Sequence, residues 1–124
     1  MAPMLITSPI VRRAQELAGV LRQTDGPNDT VDRLISHFYG RELHPTQSLD
    51  CANRMVPRFH QRGGREHPNG GHSAYVEVNA VFKQGFAWAN HKSSYPIALA
   101  IAALESYVEE MIYGGSRNDV SGLD

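Results

Sequence analysis

The sequence predicts an α+β fold, in which helices pack on a small antiparallel sheet as an α/β/α or α+β sandwich. The first observation concerns the predicted helix at residues 95–113, in which no residue from Ile97 to Leu104 is polar. A helix that is apolar on every side is normally buried. The second is the period-two alternation of residues 73–91, which is typical of a β-hairpin. Amphipathic helical patterns before the hairpin complete the expected order of elements.

Length and composition favour one soluble domain. The chain has 124 residues, with 41% hydrophobic and 20% charged residues, which is ordinary for a globular domain. The apolar run is far shorter than the roughly 20 residues that cross a bilayer, so no membrane partner is expected. The N-terminus lacks a signal-peptide pattern, and a lone Cys51 agrees with a reducing compartment. We therefore expect a cytoplasmic location and a structural cysteine.

Two amphipathic helices are predicted at residues 8–23 and 29–40. Ser8 followed by Pro9 is typical of a helix start, and apolar residues recur at helical spacing after this pair. The turn cluster at residues 24–28 separates the two helices. The expected buried positions are Ile10, Ala14, Leu17, Ala18 and Leu21 in the first helix and Val31, Leu34, Ile35 and Phe38 in the second.

A third helix is predicted at residues 46–59, and a loop at residues 60–72. The apolar stripe of this helix consists of Leu49, Ala52, Val56 and Phe59. The segment that follows contains no apolar side chain apart from one proline ring. It offers nothing to bury, so the sequence predicts a solvated loop rich in glycine, arginine and histidine.

A β-hairpin at residues 73–91 and a helix at residues 95–113 follow. Ser93 or Ser94 is placed to cap the helix, and Gly114 with Gly115 is expected to end it in the left-handed conformation. The predicted turn of the hairpin is Lys83-Gln84-Gly85. The polar tail at residues 116–124 is expected to be mobile.

A two-stranded hairpin alone is marginally stable in water. Two solutions are open. A third strand is hidden in a segment that resembles a loop, such as residues 4–7, or two copies of the chain join their exposed edges. The second solution predicts a homo-oligomer.

Charge is unevenly distributed along the chain. Residues 54–92 have a local balance of +4, and residues 93–124 have a balance of −4, although the whole chain carries a formal net charge of −1. Two segments of opposite charge can steer an anionic ligand to the positive one. The alternative is that both are solvated surfaces without a binding role. Duplex nucleic acid is not an expected partner, because the chain has a pI of about 6.6 and lacks a long basic helix.

The segment at residues 60–72 has the chemistry of an anion-binding clamp. Its glycines permit backbone N–H groups to turn toward a phosphate, and arginine binds phosphate through two parallel hydrogen bonds. Histidine rings add donors, and aromatic side chains of the hairpin offer faces on which a nucleotide base can stack. The predicted ligand-binding residues are Arg58, Arg62, Gly63, Gly64, Arg65, His67, His72, Tyr75 and Trp88. The alternative is a solvated loop without a ligand.

The same histidines raise two alternatives, a hydrolase and a metal site. His60, His67 or His72 can act as a general base, oriented by Glu66 or Glu77. No nucleophile elbow, Walker loop or deaminase motif accompanies them, and the spacing of the three histidines matches no recognised zinc arrangement. The sequence therefore predicts no catalytic residue, no metal and no cofactor, and enzyme activity stays an open alternative.

Three groups of segments between residues 32 and 104 match the pattern of a known family. They are Asp32-Arg33-Leu34-Ile35 with Gly40, His44-Pro45-Thr46-Gln47-Ser48 with residues 52–56, and Pro96, Ala100-Ile101 and Ala102-Ala103-Leu104. In these segments the chain resembles the phage ABA sandwich domain of small phage proteins. The shared features are packing and capping patterns, not chemistry, and the tyrosine of the family's central turn is absent here. The resemblance implies a phage or prophage origin and an accessory role, and it supplies no catalytic residue.

The anion-binding chemistry of residues 60–72 and the family resemblance together predict a phage anti-defence protein that acts in the cytoplasm of the infected bacterium. It would bind and sequester an anionic nucleotide signal without turnover. One alternative is a phage inhibitor that binds a host defence protein complex, such as a CRISPR effector. Another is a small His-dependent phosphodiesterase or nucleotide hydrolase.

Overall fold

The computed structural model describes residues 8–114, and this part of the chain contains four helices and one three-stranded antiparallel sheet. The predicted α+β fold, with its C-terminal helix on the sheet, is confirmed. The predicted tail at residues 116–124 and the candidate strand at residues 4–7 lie outside the described residues. The elements are α1 (Pro9–Arg22), α2 (Asp29–Tyr39), α3 (Leu49–Arg54), β1 (Arg62–Glu66), β2 (His72–Asn79), β3 (Gln84–His91) and α4 (Tyr95–Tyr113).

Helix α4 is the middle layer of the molecule. The sheet packs on it, α1 and α3 contact other parts of its surface, and Phe38 of α2 contacts Tyr107. Every residue from Ile97 to Leu104 is buried, which is the environment that a helix without a polar face requires. The sheet is thus an outer layer, and it does not lie between helices. Within residues 8–114, no helix combines the length and the apolarity needed to cross a membrane.

The ends of α4 agree in part with the prediction. Ser94 is the N-cap, and its hydroxyl accepts a hydrogen bond from the Ile97 N–H at 3.2 Å. Gly114 follows the last turn with a φ of −128°, so it is not the left-handed stop that we expected. The Gly114 N–H still donates to the Glu110 carbonyl at 2.8 Å, because the helical hydrogen bonding continues through this residue.

Strand β1 corrects the prediction of a loop at residues 60–72. Arg62–Glu66 pairs antiparallel with β2, with Gly63 opposite Tyr75 and Gly64 opposite Ala74. This supplies the third strand that the hairpin needed. Residues 60–61 and the turn after Glu66 stay irregular, and the backbone N–H of His67 closes this turn by donating to the Gly71 carbonyl at 2.7 Å.

Helix α3 is much shorter than the predicted helix at residues 46–59. It begins after Ser48, whose hydroxyl accepts a hydrogen bond from the Cys51 N–H, and it ends at Arg54. Pro57 explains the early end, since proline lacks an N–H and disfavours helical geometry in the residue before it. Phe59, expected in the buried stripe, is therefore 91% exposed.

The two faces of the sheet have different environments. Alternate residues of β2 and β3 face α4, and the small side chains among them seat the helix: Ala74, Val76, Ala87 and Ala89 are buried. In the described part of the chain, no helix covers the opposite face. The hairpin turn lies at residues 80–83, where the Ala80 N–H donates to the Lys83 carbonyl at 3.0 Å, so Gln84 and Gly85 belong to β3 and not to the turn that we predicted.

His91 joins three parts of the fold at the buried end of β3. Its Nδ1 accepts hydrogen bonds from the N–H groups of Ser93 and Ser94 at 3.1 and 3.0 Å. The proton must therefore lie on Nε2, which donates to the Thr24 carbonyl at 2.6 Å. This histidine thus ties the α1–α2 connection to the start of α4.

We expect His91→Ala to lower the free energy of unfolding by about 2 kcal/mol, because it leaves buried polar groups without partners. Urea denaturation measures this loss. His37→Ala is the control, since His37 is exposed on α2, and it should change stability by less than about 0.5 kcal/mol. Equal effects of the two substitutions would contradict the structural role of His91.

Candidate functional site

The uncovered side of the sheet carries three neighbouring aromatic residues, Tyr75, Phe86 and Trp88, which we call the aromatic face. The Tyr75 ring lies 5.0 Å from the Trp88 ring at an interplanar angle of 45°, and 5.2 Å from the Phe86 ring at 81°. Trp88 is 60% exposed and Phe86 is 45% exposed. Large apolar side chains at this exposure are typical of a binding surface.

Gly63 makes room for this arrangement. A Cβ at this position would lie 2.6 Å from the Tyr75 hydroxyl oxygen, so only glycine lets the tyrosine ring lie across β1. On the other side of the strand, a Cβ at Gly64 would lie 2.5 Å from the Tyr95 ring and 2.0 Å from the Ser73 carbonyl oxygen. The two glycines therefore serve close packing inside a strand, and they do not form the phosphate-binding nest that we predicted.

A pocket of about 480 Å³, which we call the turn pocket, lies at the end of the sheet where the β1–β2 turn meets the last residues of β3. Polar side chains dominate its lining. The lining residues are His67, Asn69, Gly71, His72, Ser73, Asn90, His91 and Lys92. A polar pocket with histidine, asparagine and lysine groups suits an anionic or strongly polar ligand.

Three side chains of the turn pocket form a fixed chain of hydrogen bonds. The Ser73 hydroxyl donates to Asn90 Oδ1 at 2.6 Å, and His67 Nε2 lies within hydrogen-bonding distance of the same hydroxyl. Because Ser73 uses its only proton on Asn90, the His67 ring donates to Ser73. This direction is that of a rigid scaffold, since a nucleophilic serine would donate its proton to the histidine.

The turn pocket and the aromatic face are continuous along the strands. Ser73 is two residues from Tyr75 on β2, and Asn90 is two residues from Trp88 on β3, which is roughly 7 Å at the rise of a β-strand. Arg65 lies directly opposite Ser73 in the β1–β2 ladder and is exposed. One ligand can therefore contact the aromatic rings and the polar pocket together.

Lys92 stands at the rim of the turn pocket, paired with Asp25 at 2.7 Å. The hydrogen bond from Lys92, followed by its positive charge, lowers the pKa of the Asp25 carboxyl. Both side chains are largely exposed, so water screens the pair and an incoming anion can compete with Asp25 for the ammonium group.

Several predicted residues come together here, and others do not. Gly63, Arg65, His67, Tyr75 and Trp88 lie on or at the end of the aromatic face. His72 lines the turn pocket, with its ring 6.1 Å from the Tyr95 ring.

The arginines before β1 lie elsewhere. Arg58 is in the turn that precedes β1, roughly 17 Å of strand away from the turn pocket. Arg62 points its guanidinium into the protein and donates to the carbonyls of Asn53, Pro57 and His60 at 3.0, 3.4 and 3.2 Å. Its role is to bind the backbone between α3 and β1, and this corrects our assignment of Arg62 to ligand binding.

We expect Arg62→Ala to lower the free energy of unfolding by about 2 kcal/mol, since it removes charged hydrogen bonds to backbone carbonyls. Arg65→Ala removes an equal charge from the exposed face of the same strand, and should change stability by less than about 0.5 kcal/mol. Thermal unfolding compares the two directly. A stable Arg62→Ala variant would show that its guanidinium is dispensable to the fold.

The proposed histidine bases are dispersed. His60 Nε2 lies 2.7 Å from a carboxylate oxygen of Glu110, and this oxygen also accepts from the Asn79 N–H at 2.7 Å. Glu77 accepts from the Gln61 N–H at 3.0 Å, at the far end of β2 from His72. His60 and Glu77 therefore both lie away from the histidines of the turn pocket. Among residues 8–114, no group of three His, Cys, Asp or Glu side chains is placed to hold a metal ion.

Sequence reasoning missed Ser73, Asn90 and Lys92 as parts of the site. The alternation of β3 could have revealed Asn90, since it places this residue on the same face as Phe86 and Trp88. Comparison of the chain with protein-family models, with curated proteins and with solved structures found no match.

Proposed function

We propose that this protein binds a nucleotide by stacking its base on the aromatic face and directing its phosphate toward the turn pocket. The single observation that carries the proposal is the position of Trp88, which is 60% exposed beside Tyr75 on a sheet face that no described helix covers. Base–aromatic stacking on a sheet is a recurrent mode of binding unpaired nucleotides. Arg65 on the same side of the sheet and Lys92 at the rim of the turn pocket are the nearby groups that favour an anion, whereas His72 lines the pocket from the side of the sheet that faces α4.

The ligand is a free nucleotide or an unpaired strand, because a base inside a duplex does not expose its face to Tyr75 and Trp88. Binding without turnover agrees with the fixed direction of the His67–Ser73–Asn90 hydrogen bonds. In a phage accessory protein, which the resemblance in sequence implies, such binding would sequester a nucleotide signal of the host defence.

Isothermal titration of the protein with a nucleoside, the matching nucleotide, inorganic phosphate and a short duplex tests the proposal. We expect the nucleotide to bind more tightly than the nucleoside or phosphate alone, and the duplex to give no saturable signal. The ligand should be recovered intact after the protein is denatured. Hydrolysed ligand would support the phosphodiesterase alternative, and equal binding of nucleotide and phosphate would contradict stacking.

An inhibitor of a host defence complex is the second candidate, and one observation favours it. Phe82 in the hairpin turn is 83% exposed, and Phe59 is 91% exposed in the turn before β1. Both lie at the end of the sheet away from the turn pocket, because Gln61 adjoins Glu77 at the end of β2. This candidate would be supported if the protein binds a purified CRISPR effector and if Phe59→Ala or Phe82→Ala abolishes that binding.

A further inference from the structure

Among residues 8–114, strand β3 is an edge of the sheet that lacks the usual protection against pairing. The order of the described strands is β1-β2-β3, so within this part of the chain β3 is bonded to β2 on one side only. It runs for eight residues, Gln84–His91, without lysine, arginine, acidic residue or proline. The opposite edge, β1, is shorter and carries Arg62, Arg65 and Glu66. Charged side chains and a short strand normally discourage pairing at the edge of a sheet. Of the two edge strands, only β1 has these features.

The hydrogen-bond pattern between β2 and β3 shows which backbone N–H and C=O groups of β3 point away from β2. The Ala80 N–H donates to the Lys83 carbonyl, and hydrogen-bonded pairs recur at every second position of an antiparallel ladder. Residues 85, 87, 89 and 91 therefore point their backbone groups at β2. The outward groups belong to Gln84, Phe86, Trp88 and Asn90, and all four of these residues are exposed.

These outward residues are self-complementary. If a second copy pairs antiparallel with β3 around a two-fold axis at Ala87, residues whose numbers sum to 174 lie opposite each other. Phe86 then lies opposite the partner's Trp88, and Gln84 lies opposite the partner's Asn90. Aromatic pairs and amide pairs across strands both stabilise a sheet. Every outward N–H and C=O group of Gln84, Phe86, Trp88 and Asn90 finds a partner in this register.

We propose that β3 is the interface with a second copy of this chain, in this register, and that two three-stranded sheets join into one. The aromatic face of each copy then continues into that of the other, since opposite residues of a ladder lie on the same side. Resting on the proposed function, this predicts a ligand with two bases, one on each copy, such as a dinucleotide.

Sedimentation equilibrium without any nucleotide tests the interface, so its outcome is separate from that of ligand binding. We expect wild-type protein to form dimers. The variant Gln84→Lys with Asn90→Lys places lysine opposite lysine in the proposed register, whereas Gln84→Lys with Asn90→Glu places lysine opposite glutamate. Both variants replace the same two residues, Gln84 and Asn90, and they differ only in the charge at position 90. The dimer Kd of the first should exceed that of the second by about tenfold or more.

Two results would overturn the proposal. One is a wild-type protein that stays monomeric at every concentration measured. The other is an equal dimer Kd for the two charge variants, which would mean that positions 84 and 90 of different copies do not meet. Circular dichroism of both variants checks that the exposed substitutions leave the helices intact.

Discussion

Ala102→Glu is expected to unfold the protein. Ala102 is fully buried in α4, the helix that contacts the sheet, α1 and α3. A carboxylate there has neither water nor a partner, and the penalty for a buried ion is several kcal/mol. A loss on the order of 5 kcal/mol or more is comparable to the whole stability of a small domain. Circular dichroism should show loss of the cooperative thermal transition.

The control for this prediction is Gln15→Glu, which adds the same charge to the exposed side of α1. It should keep the melting temperature within a few degrees of that of the wild type. A cooperative transition of Ala102→Glu near the wild-type temperature would mean that this position of α4 can reach water, and would contradict the middle-layer position of the helix.

Replacing Trp88 by alanine is expected to weaken nucleotide binding by about 30-fold, which corresponds to about 2 kcal/mol for one stacking contact. Tyr75→Ala should have a similar effect, because the two rings lie 5.0 Å apart and offer one continuous surface. Both side chains lie on the uncovered face, so we expect the protein to fold in each case. Calorimetric titration with a nucleotide measures the loss.

Phe82→Ala is the matched control for the stacking prediction. Phe82 is 83% exposed and lies in the hairpin turn, apart from the turn pocket. Its removal should leave the nucleotide Kd within about twofold of the wild-type value. If Phe82→Ala weakens nucleotide binding as much as Trp88→Ala does, the loss reflects general apolar contact and not stacking on the aromatic face.

The main features of the fold were readable from the sequence because they depend on local patterns. The apolar run of α4 required burial on all sides, and the alternation of β2 and β3 set the side of the sheet that meets α4. Strand β1 was not readable. Its five residues carry no apolar alternation, and it is stabilised by contacts distant in sequence, where Tyr75 covers Gly63 and Tyr95 covers Gly64. The early end of α3 at Arg54 is consistent with Pro57 three residues later, because proline disfavours helical geometry in the residue before it.

The candidate site was predictable in its aromatic part and not in its charged part. Alternation alone puts Trp88 on the side of β3 away from the buried alanines. The hydrogen bonds of the Arg62 guanidinium depend on the positions of three backbone carbonyls before β1. No sequence pattern encodes those positions. The turn pocket likewise exists only because β1 pairs with β2 and brings His67 beside Ser73 and Asn90.

Trp88 is the only tryptophan of the chain, so its intrinsic fluorescence reports directly on the aromatic face. Titration of the wild-type protein with a nucleotide should quench this fluorescence in a saturable way, with the same Kd that calorimetry gives, because the base stacks on the indole ring. Calorimetric binding that leaves the Trp88 emission unchanged, or the absence of binding by both methods, would contradict nucleotide recognition by this face.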